Sequence, residues 1–155
     1  MSLDIAAAGS RVEAELGPQE LVLLRAVPGL LATIEQRDDP AYDRLHPVAY
    51  ADDEADQEFR RLAAPEIERA RLADNQVFAD VLDRLAEGPA VLTRAEAESC
   101  MRTVGAGRLT IAARHGMFDQ DVFDAAQESP EGAIVAFLGW VQDEFVAALS
   151  ELDES

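Results

Sequence analysis

The segment from residue 129 to residue 149 limits the possible folds more than any other part of the sequence. Ser129 followed by Pro130 is typical of an N-cap and the first residue of a helix. Apolar residues then recur at helical spacing over a wide arc: Ile134, Leu138, Val141, Phe145 and Leu149, with Phe137 and Trp140 beside them. Because so large an apolar surface is unstable in water, we expect this helix to be buried between two layers of one domain or in a subunit interface.

The width of this apolar arc also makes the helix our candidate for contact with another molecule. The candidate interaction surface has four residues: Phe137, Trp140, Val141 and Phe145. We expect the stripe that begins at Ile134 to face inward. A dimer or another protein partner would contact Phe137 or Trp140 at its edge.

Breakers and capping residues divide the preceding sequence into further helices. Apolar residues at helical spacing follow Pro18, although Pro28 should kink or divide that helix. A helix that begins at Glu54 should be followed by a second one that begins at Pro65. The last helix of this part is the Thr93–Gly116 segment, which opens with a capping-box sequence.

Two short stretches alone have the character of strands. Apolar and charged residues alternate over Val12–Leu16, and Ala90–Leu92 is a short extended segment. A chain of 155 residues is long enough for one core and too short for two substantial domains. We therefore predict a mainly α fold: a single helical domain over residues 1–155, built as a bundle of about five to six helices. The two stretches are candidates for a two-stranded β element, and residues 1–10 and 151–155 should be frayed termini.

The charge of the chain argues against two classes of partner. It has 31 acidic and 13 basic residues, which gives a formal net charge of −18, and every basic residue is arginine. A surface this negative repels phosphate backbones and anionic lipid headgroups, so we expect no nucleic-acid partner and no membrane partner. No stretch approaches the length of apolar sequence that spans a bilayer, and the start of the chain lacks the basic region of an export signal. With one cysteine, the chain fits a reducing cytoplasm.

The sequence contains none of the familiar catalytic or nucleotide-binding signatures. It has no phosphate-binding loop, nucleophile elbow or His-Glu-x-x-His pair. Gly105-Ala106-Gly107 is the nearest approach to a dinucleotide fingerprint, but no strand precedes it and the third glycine is missing. Close packing between helices is the better interpretation of these glycines.

The residues that could supply chemistry are also poorly placed for catalysis or metal binding. The carboxylates of residues 52–58 lack the alternate spacing and central glycine of an EF-hand loop, and they suit the first turn of a helix. His46 and His115 are far apart in the sequence. Cys100 lies in the middle of a predicted helix, where a plain buried thiol is expected. We therefore expect no metal, no cofactor and no catalytic residue, and we predict that the protein is not an enzyme.

Arg108 is predicted to lie on the apolar side of its helix. It shares that side with Met101, Val104 and Ile111, so its guanidinium should need a carboxylate partner. Glu58 is our candidate for a structural ion pair with Arg108. The alternative is that Arg108 faces a pocket and binds an anion.

Two stretches of the sequence resemble a known family. The first runs from Asp39-Pro40-Ala41-Tyr42 through Leu45-His46-Pro47 to Asp53 and continues with Glu58-Phe59-Arg60-Arg61-Leu62. The second runs from Met101-Arg102-Thr103-Val104 through Arg108-Leu109 to Gly116. They resemble an actinobacterial family of small proteins, the domain of unknown function numbered two thousand and seventeen. Its genes are often beside that of the ClpS adaptor of the Clp protease, so the resemblance implies a loose link to protein turnover and supplies no catalytic residue.

Three hypotheses about function follow. The first is a cytoplasmic protein-interaction or adaptor-like module without catalysis, whose partner is an unidentified protein or a second copy of the chain. The second is a DNA-binding transcriptional regulator that uses the Thr93–Gly116 helix, because residues 89–118 carry four arginines and two glutamates. The third is a small-molecule binder with a pocket at the Arg44–Tyr50 loop.

Overall fold

Helices dominate the structure, as the sequence predicts, and a small antiparallel sheet packs against them. The computed structural model describes residues 2–34, 39–45, 52–118 and 129–153, but not the side chains of residues 42–44. In chain order the elements are β1 (Leu3–Ala8), β2 (Arg11–Leu16), α1 (Pro18–Leu31), α2 (Pro40–Leu45), α3 (Asp53–Ala86), β3 (Ala90–Leu92), α4 (Arg94–Arg114) and α5 (Pro130–Ser150).

The sheet contains the expected strand pair and one further strand. β2 pairs with β3 in antiparallel register, with Val12 opposite Leu92, which confirms the predicted pairing. β1 adds a strand on the other side of β2, where a frayed terminus was expected. The pairing buries Ile5 within the core. Near the other end of the chain, the backbone N–H of Asp153 donates to the carbonyl of Gly9 at 2.9 Å, so this residue is also held against the sheet.

The helices are longer and fewer than the sequence suggests. Residues 53–86 form one helix of 34 residues with Pro65 inside it, where two helices were expected. Pro28 likewise lies inside α1 without dividing it. A proline removes one backbone hydrogen bond and adds strain, but the helical residues on both sides keep each helix continuous. Apart from the short, six-residue α2, the described residues thus hold four helices, slightly fewer than the predicted five to six.

The core lies between the C-terminal half of α3, the other long helices and the sheet. Its members are buried apolar side chains, and the principal ones are Ile5, Val12, Leu24, Val27, Phe78, Val81, Leu82, Leu92, Cys100, Val104, Leu138, Val141 and Phe145. The first half of α3 contributes no buried apolar side chain. The core therefore positions α4 and α5 firmly, while the start of α3 contributes little to it.

Glycines allow α4 to pack closely against its neighbours, which confirms the packing interpretation of Gly105-Ala106-Gly107. A Cβ atom on Gly107 would lie 2.9 Å from Val27 Cγ1 of α1. The side chain of Gln142 of α5 lies over Gly105 in the same way. The contact is reciprocal, because the Arg108 guanidinium of α4 lies over Gly139 of α5.

Candidate functional site

The structure places most of the predicted interaction surface in the core of the monomer. Phe137, Val141 and Phe145 are buried, because α5 packs against both α4 and β1 and so uses a wide arc of its surface. Trp140 is 38% exposed and is the one residue of the four that can meet a partner. Ile134, which was expected to face the core, is exposed to a similar extent.

The outward side of α5 is formed by a row of small residues around Trp140. Residues spaced by three and four positions share one side of a helix. On α5 these are Ala133, Ala136, Trp140, Asp143, Glu144 and Ala147, which we call the α5 outer face. Glu144 is partly buried and the other five are exposed. The first two turns of this face are apolar, and two carboxylates follow Trp140 by three and four residues.

Within the part of the chain that the structure describes, this apolar helix is buried only in part. An 18-residue window of α5 has a mean hydropathy of 1.4, and 39% of that window is buried inside the protein. By length and composition it could cross a membrane, which corrects the expectation that no stretch approaches a span. The core helix of a soluble protein meets the same criterion, and α5 carries core residues along its inward side.

Trp140 is held in a defined orientation. Its ring meets that of Phe137 edge to face, with the ring centroids 6.1 Å apart and the ring planes at 64°. Phe137 is itself buried and so provides a fixed support. An aromatic side chain that is oriented in advance loses little conformational entropy on binding.

Arg108 does not form the predicted pair with Glu58. The Glu58 carboxylate instead accepts two hydrogen bonds from Arg61, at 2.6 and 3.2 Å, and Arg61 lowers the pKa of this exposed carboxyl. Arg61 is one turn away on the same helix and is always within reach. Arg108 is exposed and donates to Gln142 Oε1 at 3.4 Å, so it joins α4 to α5 rather than to α3.

A groove lies between the middle of α3 and the middle of α4. It has a volume of about 570 Å³, and we call it the α3–α4 groove. The residues around it are Leu45, Ile67, Ala70, Arg71, Asp74, Arg102, Thr103, Gly105, Ala106, Leu109 and Gln142. Ala70 of α3 and Gly105 and Ala106 of α4 are small, so the described residues leave this space open. Leu45 belongs to the predicted Arg44–Tyr50 binding loop, of which residues 46–50 lie outside the described part of the chain.

A polar network closes one end of the α3–α4 groove. The Asp74 carboxylate accepts hydrogen bonds from Arg102 Nε at 2.8 Å and from Arg102 Nη2 at 2.9 Å. The Ser99 hydroxyl donates to the same carboxylate at 2.9 Å. These bonds, with that from Arg102 the strongest cause, lower the pKa of Asp74 although partial burial opposes the change. Asp74 is therefore an ionised structural acceptor rather than a proton donor at neutral pH.

Comparison with known proteins identifies the family of this chain. The family model described as Domain of unknown function (DUF2017) matches residues 4–149. The chain belongs to this family. The match covers both stretches on which the sequence resemblance depends, so the resemblance is confirmed. No curated protein and no solved structure is similar enough to count as a match.

The two family-like stretches of this DUF2017 protein meet through an ion pair. Arg114 Nη2 lies 2.6 Å from Asp39 Oδ2, and Arg114 Nε donates to Asp39 Oδ1 at 3.3 Å. Asp39 also accepts from the backbone N–H of Ala41 in the first turn of α2. Arg114 donates in addition to the Thr33 hydroxyl, just after α1. Arg114 thus fixes α2, and with it the Leu45 side of the α3–α4 groove.

The single cysteine of the DUF2017 chain is buried, as expected. Cys100 has no exposed surface, and burial raises the pKa of its thiol to about 12. A thiol with so high a pKa holds almost no thiolate at neutral pH. Among the residues that the structure describes, no three histidine, cysteine or acidic side chains are grouped as a metal site would need. His115 caps the end of α4, and His46 lies outside the described residues.

Proposed function

We propose that this chain is a non-catalytic protein-interaction module of the cytoplasm, adaptor-like in character, and that the α5 outer face is where its partner binds. The observation that carries the proposal is an exposed, pre-oriented Trp140 on an apolar helix that the described residues bury only in part. Contiguous exposed apolar surface on a monomer is typical of a binding site. Tryptophan is enriched among the residues that contribute most to protein–protein affinity.

The shape of the face also favours a protein over a small ligand. Ala133, Ala136 and Ala147 are short, so the backbone of another helix or an extended segment can approach α5 closely. Trp140 then projects as the single large side chain. This combination gives a partner one anchor within a flat surface, the usual arrangement of a protein interface.

Site-specific photo-crosslinking in living cells tests this proposal. A crosslinking amino acid is placed at position 136 of the α5 outer face, and the control is placed at Val22, an exposed position of α1. We expect position 136 to capture one defined protein that position 22 does not capture. The capture should be lost in the Trp140→Ser variant. Equal yields from both positions, or no capture from position 136, would contradict the proposal.

The α3–α4 groove supports a second candidate function, the binding of a small molecule. Its volume of about 570 Å³ is within the range of ligand pockets, and it adjoins the predicted loop at Leu45. The Ala106→Phe variant should fill the groove. A small molecule that raises the melting temperature of the parent protein but not of this variant would support the second function, and equal shifts in both proteins would exclude the groove as the site.

DNA binding is the weakest of the three hypotheses. The Thr93–Gly116 segment contains α4, which is a central core helix rather than one free to enter a groove of DNA. Two of its arginines are held in ion pairs, Arg102 with Asp74 and Arg114 with Asp39. The net charge of −18 opposes the phosphate backbone.

A loose link to Clp-dependent protein turnover is part of the proposal through the family resemblance. It is tested separately from the interaction surface. The purified protein is added to a reconstituted degradation reaction that contains the protease and its adaptor. A changed degradation rate supports the link, and an unchanged rate over a full titration contradicts it.

A further inference from the structure

The charged side chains that α5 itself carries are all acidic. Residues 129–153 contain five acidic residues and no arginine or lysine. Asp143 and Glu144 follow Trp140 by three and four residues, which brings them beside it on the helix surface. Arg108 of α4 lies at the flank of α5, over Gly139, and donates a hydrogen bond to Gln142.

An exposed indole beside carboxylates is well suited to a cation. The face of a tryptophan ring attracts a guanidinium or ammonium group more strongly than that of any other side chain. A guanidinium that lies on the Trp140 ring would have Asp143 and Glu144 within one turn of the helix. One cation can therefore gain from the ring and from a carboxylate at the same time.

From this juxtaposition we propose that the α5 outer face binds a basic amphipathic segment of another protein, in which arginine or lysine residues stand beside apolar ones. The apolar residues would cover Ala133, Ala136 and the edge of Trp140, and the cations would lie on the ring and its carboxylates. This inference rests on the proposed function and adds the chemistry of the partner.

Charge also argues against the other occupants of an apolar helix face. Two copies of this chain would each bring a net charge of −18, and their α5 helices would place carboxylates against carboxylates. An anionic membrane surface would be repelled for the same reason. A basic partner is attracted by the surface that repels these two.

Because the chain contains one tryptophan, its intrinsic fluorescence reports directly on binding at Trp140. The full-length protein is titrated with a blocked helical peptide of about 14 residues, with leucine at positions i, i+3, i+4 and i+7 and arginine on both sides of that stripe. A matched peptide carries neutral citrulline in place of every arginine. We expect the arginine peptide to change the Trp140 emission at saturation. The citrulline peptide should bind at least about fivefold more weakly, because it loses the exposed cation–π and ion-pair contacts.

Two variants assign the effect to this face, with binding followed through a dye on the peptide. Asp143→Asn/Glu144→Gln removes two charges beside Trp140, and Trp140→Leu keeps apolar surface but removes the ring. Each should weaken the arginine peptide by about three- to tenfold. The control Glu13→Gln/Glu15→Gln removes the same charge from the exposed side of β2 and should change the affinity by much less. Circular dichroism checks that every variant is folded.

The outcomes separate this inference from the proposed function. Equal affinity for the two peptides, or equal weakening by the control and the Asp143/Glu144 variant, overturns the basic-partner inference. The basic-partner inference is also overturned if the protein captured from position 136 is crosslinked through a segment without arginine or lysine. The proposed function would stand in that case. Capture of a second copy of the chain, or binding to neutral lipid vesicles through Trp140 without the peptide effect, also overturns it.

Discussion

Replacing Gly107 by alanine tests how closely α4 packs against α1. Two effects oppose each other in this variant. Alanine is favoured over glycine within a helix by about 1 kcal/mol. Against this gain, the new Cβ would lie 2.9 Å from Val27 Cγ1, 3.5 Å from Val27 Cγ2 and 3.7 Å from Leu138 Cδ1.

The packing effect should win because Val27 cannot move aside. Val27 is buried, and a valine within a helix has one strongly preferred side-chain rotamer. Adding a methyl group to a well-packed core usually costs about 1–3 kcal/mol. After the helix-propensity gain is subtracted, Gly107→Ala should lower the free energy of unfolding by about 1 kcal/mol.

Urea unfolding followed by circular dichroism measures this change, and the chain supplies its own controls. Gly29 also lies within a helix, but nothing would approach its Cβ within 4 Å, so Gly29→Ala should raise the free energy of unfolding by about 0.5–1 kcal/mol. In a Val27→Ala background the clash is removed, and Gly107→Ala should then be stabilising. If Gly107→Ala stabilises the parent protein as Gly29→Ala does, the close contact of α4 with α1 is refuted.

Three further predictions concern an ion pair, the buried thiol and a like-charge pair in the sheet. Arg114 lowers the pKa of Asp39, so the ionised carboxyl stabilises the fold above its ordinary pKa, and this contribution is lost as the pH falls through the lowered value. Arg114→Met should therefore reduce the free energy of unfolding by about 1–2 kcal/mol at neutral pH. In urea titrations below pH 3.8 the reduction should become progressively smaller. Cys100 should resist iodoacetamide in the folded protein at mildly alkaline pH and react fully after denaturation, and rapid alkylation of the folded protein would contradict its burial. Glu15 lies directly opposite Asp4 in the sheet, so Glu15→Arg should raise the free energy of unfolding by about 0.5 kcal/mol, whereas an unchanged or lower value would show that the like-charge pair is harmless.

Local sequence signals predicted the elements whose stability is decided locally. Thr93 and Glu96 predicted the start of α4, and both hydrogen bonds of the capping box are present. The alternation over Val12–Leu16 predicted β2 and its pairing with β3. The strand Leu3–Ala8 was missed because its run of alanines lacks the β-branched and aromatic residues that mark strands. Its strand conformation depends on pairing with β2, which only the folded chain provides.

The candidate site was predictable in part. The apolar arc of the last helix identified Trp140 and predicted the burial of Val141 and Phe145, but helical spacing alone did not show that Phe137 would be buried and Ile134 exposed. The spacing of Ala133, Ala136 and Ala147 with Trp140 is the signal that could have located the exposed face.

Long-range ion pairs were beyond sequence reasoning. Asp39 and Arg114 are 75 positions apart. Glu58 pairs with Arg61, one turn away on the same helix, and not with Arg108. Such pairs depend on how helices dock, which no local pattern encodes.

Acrylamide quenching of the Trp140 fluorescence tests most directly whether a partner protein covers this side chain. In the free protein the indole is 38% exposed and should be readily quenched. Addition of the protein captured from position 136 should lower the quenching constant severalfold, in proportion to the fraction bound. A quenching constant that stays the same when the complex is fully formed would contradict the account.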